Sequence, residues 1–277
     1  MPEGRLILCA TPIGNLGDIS DRLRLVLTEA DVVYAEDTRR VATLLRHIGV
    51  TTKTRSFFEG NEAARTDEIL EEVRSGMTVA IVSDAGMPAV SDPGARAVRR
   101  ARDEGLAVTA VPGPSAVTTA VALAGFGGDR FVFEGFLPRK GGERSRRLAE
   151  IAVEQRPVVL FASPRRVGSD LADLARTAGV ERRVVVAREL TKLHEEVWAG
   201  SLGEAAERWG NAERGEFTLV VDGAESPAAD IGSAVAMASD LVTRGSSLSE
   251  AARAASAESG VPRRRVYQAL LDSRDAS

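Results

Sequence analysis

Short apolar runs and longer amphipathic stretches take turns along the chain. RLILCA (5–10), DVVYAED (31–37), TVAIVSD (78–84) and AVTAVPG (107–113) read as buried strands. Between them apolar positions recur at helical spacing. Ser20 opens one such stretch as a side-chain cap, Gly49 closes the next, and Asn61 and Gly76 frame a third. The stretch 92–105 carries Asp92 at the N-cap, Pro93 at the first helical position and Gly105 past the end, the asymmetry expected of helix termini. A further helix is predicted over 115–125. Strands and helices alternating in this way predict a mainly parallel α/β sheet.

GFGGDR at 125–130 is a glycine-rich joint, so residues 1–125 form one predicted unit and 126–223 a second. In the second, FVFEGFL, PVVLFAS, RRVVVAREL, EEVWAGSL and EFTLVVDG read as strands, with helices at 143–154 and 168–177. RRVVVAREL and EEVWAGSL lie close enough for an antiparallel pair, which makes this sheet mixed. DGAESPAADIG at 222–232 reads as a linker. A helical extension over 232–277 contains a Ser247–Glu250 capping box, a stop at Gly260 and a restart at Pro262, the outline of a helix-turn-helix.

The loops carry the functional signal. Those at 11–18, 36–40, 83–94 and 112–115 all follow strands, so in a parallel sheet they emerge at its carboxyl edge, where ligands bind. The longest, SDAGMPAVSDPG at 83–94, far exceeds the about 2 to 6 residues that a βα connection needs. No G-x-G-x-x-G follows the first strand and no Walker lysine motif occurs, which argues against dinucleotide and P-loop chemistry.

Composition narrows this further. At 277 residues, 44% hydrophobic and 27% charged, the chain has the make-up of a soluble protein with a sizeable core. No apolar run approaches a membrane span, and the N-terminal apolar stretch is too short for a secretory signal, so a cytoplasmic location is expected. A single cysteine, Cys9, reads as a buried structural thiol; with two histidines it builds no familiar zinc site, and no metal is expected. The net charge is −4, yet basic residues cluster in PRKGGERSRR (138–147), SPRR (163–166) and PRRR (262–265), the local fields that bind phosphate.

ATPIGNLGDIS, AEDTRR, SDAGMPAVSDPG, VPGPSA, EGFLPRK, SPRR and ARELTKLHEEV occur in this order over essentially the whole chain. Together they resemble the tetrapyrrole-methylase superfamily, and within it the bacterial branch that methylates a cytidine 2′-hydroxyl in the decoding region of 16S ribosomal RNA. The resemblance implies two α/β domains with S-adenosyl-L-methionine in the cleft between them, a homodimer, and 16S rRNA in the small ribosomal subunit as partner. It implies cofactor contacts at Asp84, Ala85, Gly86 and Val90 of the long loop, at Ser115 and Ala116, and at Pro12. Phe161, Ala162 and Ala187 are the expected adenine neighbours.

Methyl transfer to a hydroxyl calls for alignment and for a group that takes the proton. Glu36, Asp37, Glu189 and Lys192 are the candidates. Arg39, Arg139, Lys140, Arg165, Arg166, Arg263 and Arg264 are the expected RNA phosphate contacts. With eight phenylalanines, two tyrosines and two tryptophans, an extensive aromatic platform is not expected. Two other readings stay open: a tetrapyrrole-precursor C-methylase, against which the arginine clusters and helical tail speak, and a non-catalytic ribosome-assembly factor.

Overall fold

The computed structural model describes residues 4–211, 214–225 and 231–275. Residues Met1–Gly223 form one compact unit and Ala224–Ser277 another.

The first unit holds two five-stranded sheets. In the first, β1 (Arg5–Cys9), β2 (Val32–Ala35), β3 (Thr54–Ser56), β4 (Thr78–Val82) and β5 (Ala107–Val111) run parallel in the order β3-β2-β4-β1-β5. Alternate residues of each strand face opposite sides. Ile7, Cys9, Val33, Ala35, Ala80 and Val82 pack against α1 (Asp21–Glu29) and α2 (Thr38–Ile48). Leu6, Val32, Tyr34, Val79 and Ile81 pack against α3 (Glu62–Arg74) and α4 (Ala95–Asp103). Burial on both faces explains the unbroken apolar runs. It also pushes the Cys9 thiol up to about 12, against the opposing charge of Arg22, leaving it inert.

The second sheet contains β6 (Val132–Phe136), β7 (Val158–Ala162), β8 (Arg183–Arg188), β9 (Glu196–Ser201) and β10 (Phe217–Val221), ordered β6-β7-β10-β8-β9. β6 and β7 are parallel, and β10 is antiparallel to both its neighbours, as β8 is to β9. One face is covered by α6 (Gly142–Val153), α7 (Val167–Ala178) and α8 (Leu202–Trp209). The other face, through Val159, Ala187 and Val220, packs against Val117, Ala120 and Val121 of α5 (Ala116–Ala124), the last helix of the first half.

The caps at Ser20, Ser247 and Gly49 form as expected, Gly49 in the left-handed region at φ 73°. Asn61 stands at a helix start, but its side chain accepts from the Phe58 amide instead of capping forward. Asp92 is not an N-cap. Gly94 takes that position with φ 134°, and its amide donates to the Glu62 carboxylate at 2.9 Å, so α3 supplies from outside what Asp92 was expected to supply locally. The sequence pattern predicts neither β3 nor α8.

In the second unit α9 (Ile231–Thr243), α10 (Leu248–Ser259) and α11 (Arg263–Asp275) share a core of small residues, Ala234, Ala238, Ala251, Ala252 and Ala255, closed by Val261, Val266 and Leu270. Gly260 ends α10 at φ 71° as expected. The linker residues 226–230 lie outside the described residues. No helix among the described residues is long and apolar enough to cross a membrane.

Candidate active site

Strands β1 and β4 are neighbours, but the chain leaves them toward opposite faces, to α1 and to α4. Their loops must therefore part and leave a crevice at the carboxyl edge. Backbone bonds tie the two loop bases together: Thr11 N donates to Gly86 O at 2.9 Å and Gly86 N to Thr11 O at 3.1 Å. Beyond this bridge the long loop folds back, with Ala89 N donating to Pro93 O at 3.1 Å. Ala89 and Ser91 sit at φ 69° and 61°. Such conformations cost a non-glycine residue about 1–3 kcal/mol and gather at functional sites.

The crevice opens into a cavity of about 510 Å³ between the two sheets. Of the expected cofactor contacts, Asp84, Ala85, Gly86, Val90, Ser115, Ala116, Phe161, Ala162 and Ala187 line it. Pro12 does not; its neighbour Ile13 does, within the apolar cluster of α5. The lining residues that the sequence does not single out as contacts include Arg40, Asp92, Phe136 and Glu216.

The electrostatics of the rim single out two carboxylates. Burial, then the charge of Glu36, pushes the Asp92 carboxyl up to about 6; a hydrogen bond from Ser83 opposes this and Asp84 adds to it. Burial likewise raises Glu36, helped by Asp84 and opposed by Arg40. Asp84 is committed elsewhere: one oxygen accepts from the Asp37 amide at 3.0 Å and the other pairs with Arg40 at 3.3 Å. Asp37 caps α2 and accepts two hydrogen bonds from the Arg39 guanidinium, which hold its carboxyl far below the usual range. A carboxylate so held is a poor proton acceptor, and Arg39, 89% exposed, is tied to it.

Glu189 and Lys192 come together, but as a closed cluster. Lys192 Nζ lies 2.9 Å from Glu189 and 3.0 Å from Glu216, and Glu189 also accepts from the Glu216 amide at 2.8 Å. Burial opposes ionisation of both, yet these bonds prevail, lowering Glu189 and raising Lys192. Lys192 is thus held protonated and the Glu189 carboxylate is made less basic, which disfavours either as the base.

Of the expected phosphate contacts, Arg139, Lys140 and Arg165 are exposed on the loops after β6 and β7. Arg166 is not available: its guanidinium donates to Leu137 O at 2.9 Å and Pro138 O at 3.1 Å and pairs with Asp170. Arg144 joins it, donating to Pro138 O at 3.0 Å. The pair clamps the end of β6, and nothing in a basic run announces two carbonyl acceptors. Arg263 and Arg264 are exposed at the start of α11, where Arg263 donates to Ser249 Oγ at 2.7 Å. Among the described residues no group of three or more metal-ligating side chains comes together.

The family described as Tetrapyrrole (Corrin/Porphyrin) Methylases matches residues 5–206. A Mycobacterium tuberculosis protein named ribosomal RNA small subunit methyltransferase I is 46% identical over 99% of this chain and 97% of its own. One of the same name from Thermotoga maritima is 47% identical over 80% of this chain and all of its own. Among solved structures, a cobalt precorrin-4 methyltransferase superposes with TM-score 0.60 at 18% identity, over 79% of this chain and 94% of its own. Uroporphyrin-III C-methyltransferase of Thermus thermophilus, complexed with S-adenosylhomocysteine, does so with TM-score 0.57 at 18% identity, over 79% and 97%. At that identity the likeness concerns the fold.

Proposed function

Because the chain belongs to the tetrapyrrole methylase family, we propose that it transfers a methyl group from S-adenosyl-L-methionine to small-subunit ribosomal RNA, at the 2′-hydroxyl of a cytidine in the decoding region. The reading rests above all on the cavity at the sheet edge, in a chain so close over its whole length to proteins named for ribosomal RNA methylation. It places the protein in the cytoplasm, acting as a homodimer on the small ribosomal subunit.

The cavity suits the cofactor. Its volume of about 510 Å³ lies within the range that encloses ligands of this size, about 300–1,000 Å³. Phe161, Ala162 and Ala187 offer an apolar wall for the adenine. The first turn of α5, at Ser115–Ala116, has amides without intrahelical partners for a carboxylate. Asp84, Ala85, Gly86 and Val90 close the remaining side. S-adenosyl-L-methionine, when bound, supplies an electrophilic sulfonium methyl. The protein's part is to align the incoming hydroxyl and to receive its proton. Asp92 is the acceptor this reading favours: it lines the cavity, and burial, with Glu36 adding to it, keeps its carboxyl basic. Arg139 and Lys140 follow the lining residue Phe136 at the end of β6, and Arg165 follows the lining residue Pro164 after β7, where cations can meet RNA phosphates.

Incubating the protein with radiolabelled cofactor and small ribosomal subunits tests the reading. Label on a cytidine ribose is expected. Label confined to base atoms, or transferred only to a tetrapyrrole precursor, would reject it. Failure to bind the cofactor at millimolar concentration would point to an assembly factor.

A further inference from the structure

We propose that Phe136 is the surface on which the target nucleobase stacks, holding an unpaired nucleotide at the cavity mouth; this rests on the ribosomal RNA reading above. Phe136 lines the cavity and is nonetheless 56% exposed. A lone exposed phenylalanine would mean little. Here the strand is reshaped to put it there.

In β6 Phe133 opposes Val159, Gly135 opposes Leu160 and Phe136 opposes Phe161, so Glu134 is an extra, unpaired residue. Residues three apart on an unbroken strand face opposite sides of the sheet. Without the extra residue Phe136 would oppose Ala162, on the face that α6 and α7 bury. The bulge re-aims it. Phe133 and Phe136 now share one side, and both reach Phe161, with ring centroids 5.1 Å and 5.6 Å away. Gly135 permits the turn: its φ is 65°, and a Cβ there would stand 3.1 Å from Ser91 Oγ on the long loop.

The chain beyond Phe136 is equally fixed. The carbonyls of Leu137 and Pro138 are held by Arg166 and Arg144, so the loop leaves the strand in a set direction. Three and four residues past the ring, Arg139 and Lys140 are exposed, and neither is paired with an acidic side chain among the described residues. An apolar ring over a cavity, flanked by two such cations on a braced loop, matches an unpaired nucleotide: the ring takes the base and the cations take the phosphates. A hydroxyl to be methylated must leave its helical stack to enter a cavity, and stacking on a side chain offsets part of what is lost.

The test compares wild-type protein with Phe136→Leu and Phe136→Trp, using small ribosomal subunits as substrate and calorimetry for S-adenosyl-L-methionine. Phe136→Leu is expected to lower kcat/KM for the subunits by about 5- to 100-fold, the range of one aromatic stack. Its cofactor affinity should stay within about twofold, and Phe136→Trp should restore activity. Equal activity of Phe136→Leu and wild type would overturn the proposal. So would a parallel loss of cofactor affinity, which would assign the ring to the adenine. If wild-type protein labels no RNA at all, the ribosomal RNA reading itself falls and takes this one with it.

Discussion

The loop at 83–94 and the turn at 189–192 meet the same backbone problem with different arrangements of charge. Each leaves the end of a strand, and each holds two non-glycine residues at positive φ: Ala89 and Ser91 in one, Glu189 and Thr191 in the other. At the turn, opposite charges close on each other, with Lys192 between Glu189 and Glu216. Gly14 packs so tightly there that a Cβ would fall on the Lys192 side chain. At the loop, like charges gather: burial and the charges of Glu36 and Asp84 raise Asp92, and burial and the charge of Asp84 raise Glu36, with Arg40 the nearby cation. The turn is built for stability. The loop retains an electrostatic penalty, and such penalties cluster where a carboxylate has chemistry to perform.

The largest expected effect breaks the loop's side of this contrast. Asp92→Asn should lower the single-turnover rate of methyl transfer by about 10²- to 10⁴-fold, the usual contribution of a positioned base. A rate within tenfold of wild type would move that role to Glu36. Next in size is the pH profile. The wild-type rate should fall about tenfold per pH unit below about 6, as Asp92 takes up its proton. Glu36→Gln removes a neighbouring negative charge, so the same limb should move to lower pH; an unmoved limb would separate the two carboxylates.

Thermal melting sharpens the contrast through sign. The Asp92 carboxyl is raised in the folded state, so its favourable contribution is complete below the unfolded value near 3.8 and is lost as pH rises through about 6. Asp92→Asn should therefore melt higher than wild type at pH 8 and match it near pH 4. Glu189 is lowered, so its contribution is present above the ordinary carboxylate range and is lost in acid. Glu189→Gln should destabilise at pH 7 by about 1–3 kcal/mol, the penalty for stranding part of a hydrogen-bond network, and the deficit should shrink on acidification. Shifts of the same sign in both variants would erase the distinction. Arg39→Ala, on the exposed pair with Asp37, should change the melting temperature least.

Much of the scaffold was legible because its causes are local. β1, β2 and β4 announce themselves as apolar runs because both faces of the first sheet are covered. Ser20, Gly49 and the Ser247–Glu250 box work within a turn of their own position. β3 escaped because all three of its residues are only half-buried and carry no apolar pattern. The site's lining in the long loop could be placed from its motif, but its chemistry could not. Asp92 precedes a proline and a glycine, as a cap would, and only Glu62, thirty-two residues before Gly94 along the sequence, displaces it. Arg166 sits in a basic motif, yet its acceptors are backbone carbonyls at the end of another strand. Gly135 was the one visible hint of the bulge, since glycine inside a strand often marks one.

Helix α5 belongs to the first half by sequence yet packs its apolar face on the second sheet. The two halves thus share a wall rather than a hinge, and swinging them apart would strip Val117, Ala120 and Val121 of their cover. Access to the cavity then lies past the rim loops that follow the strands, not through a parting of the two sheets.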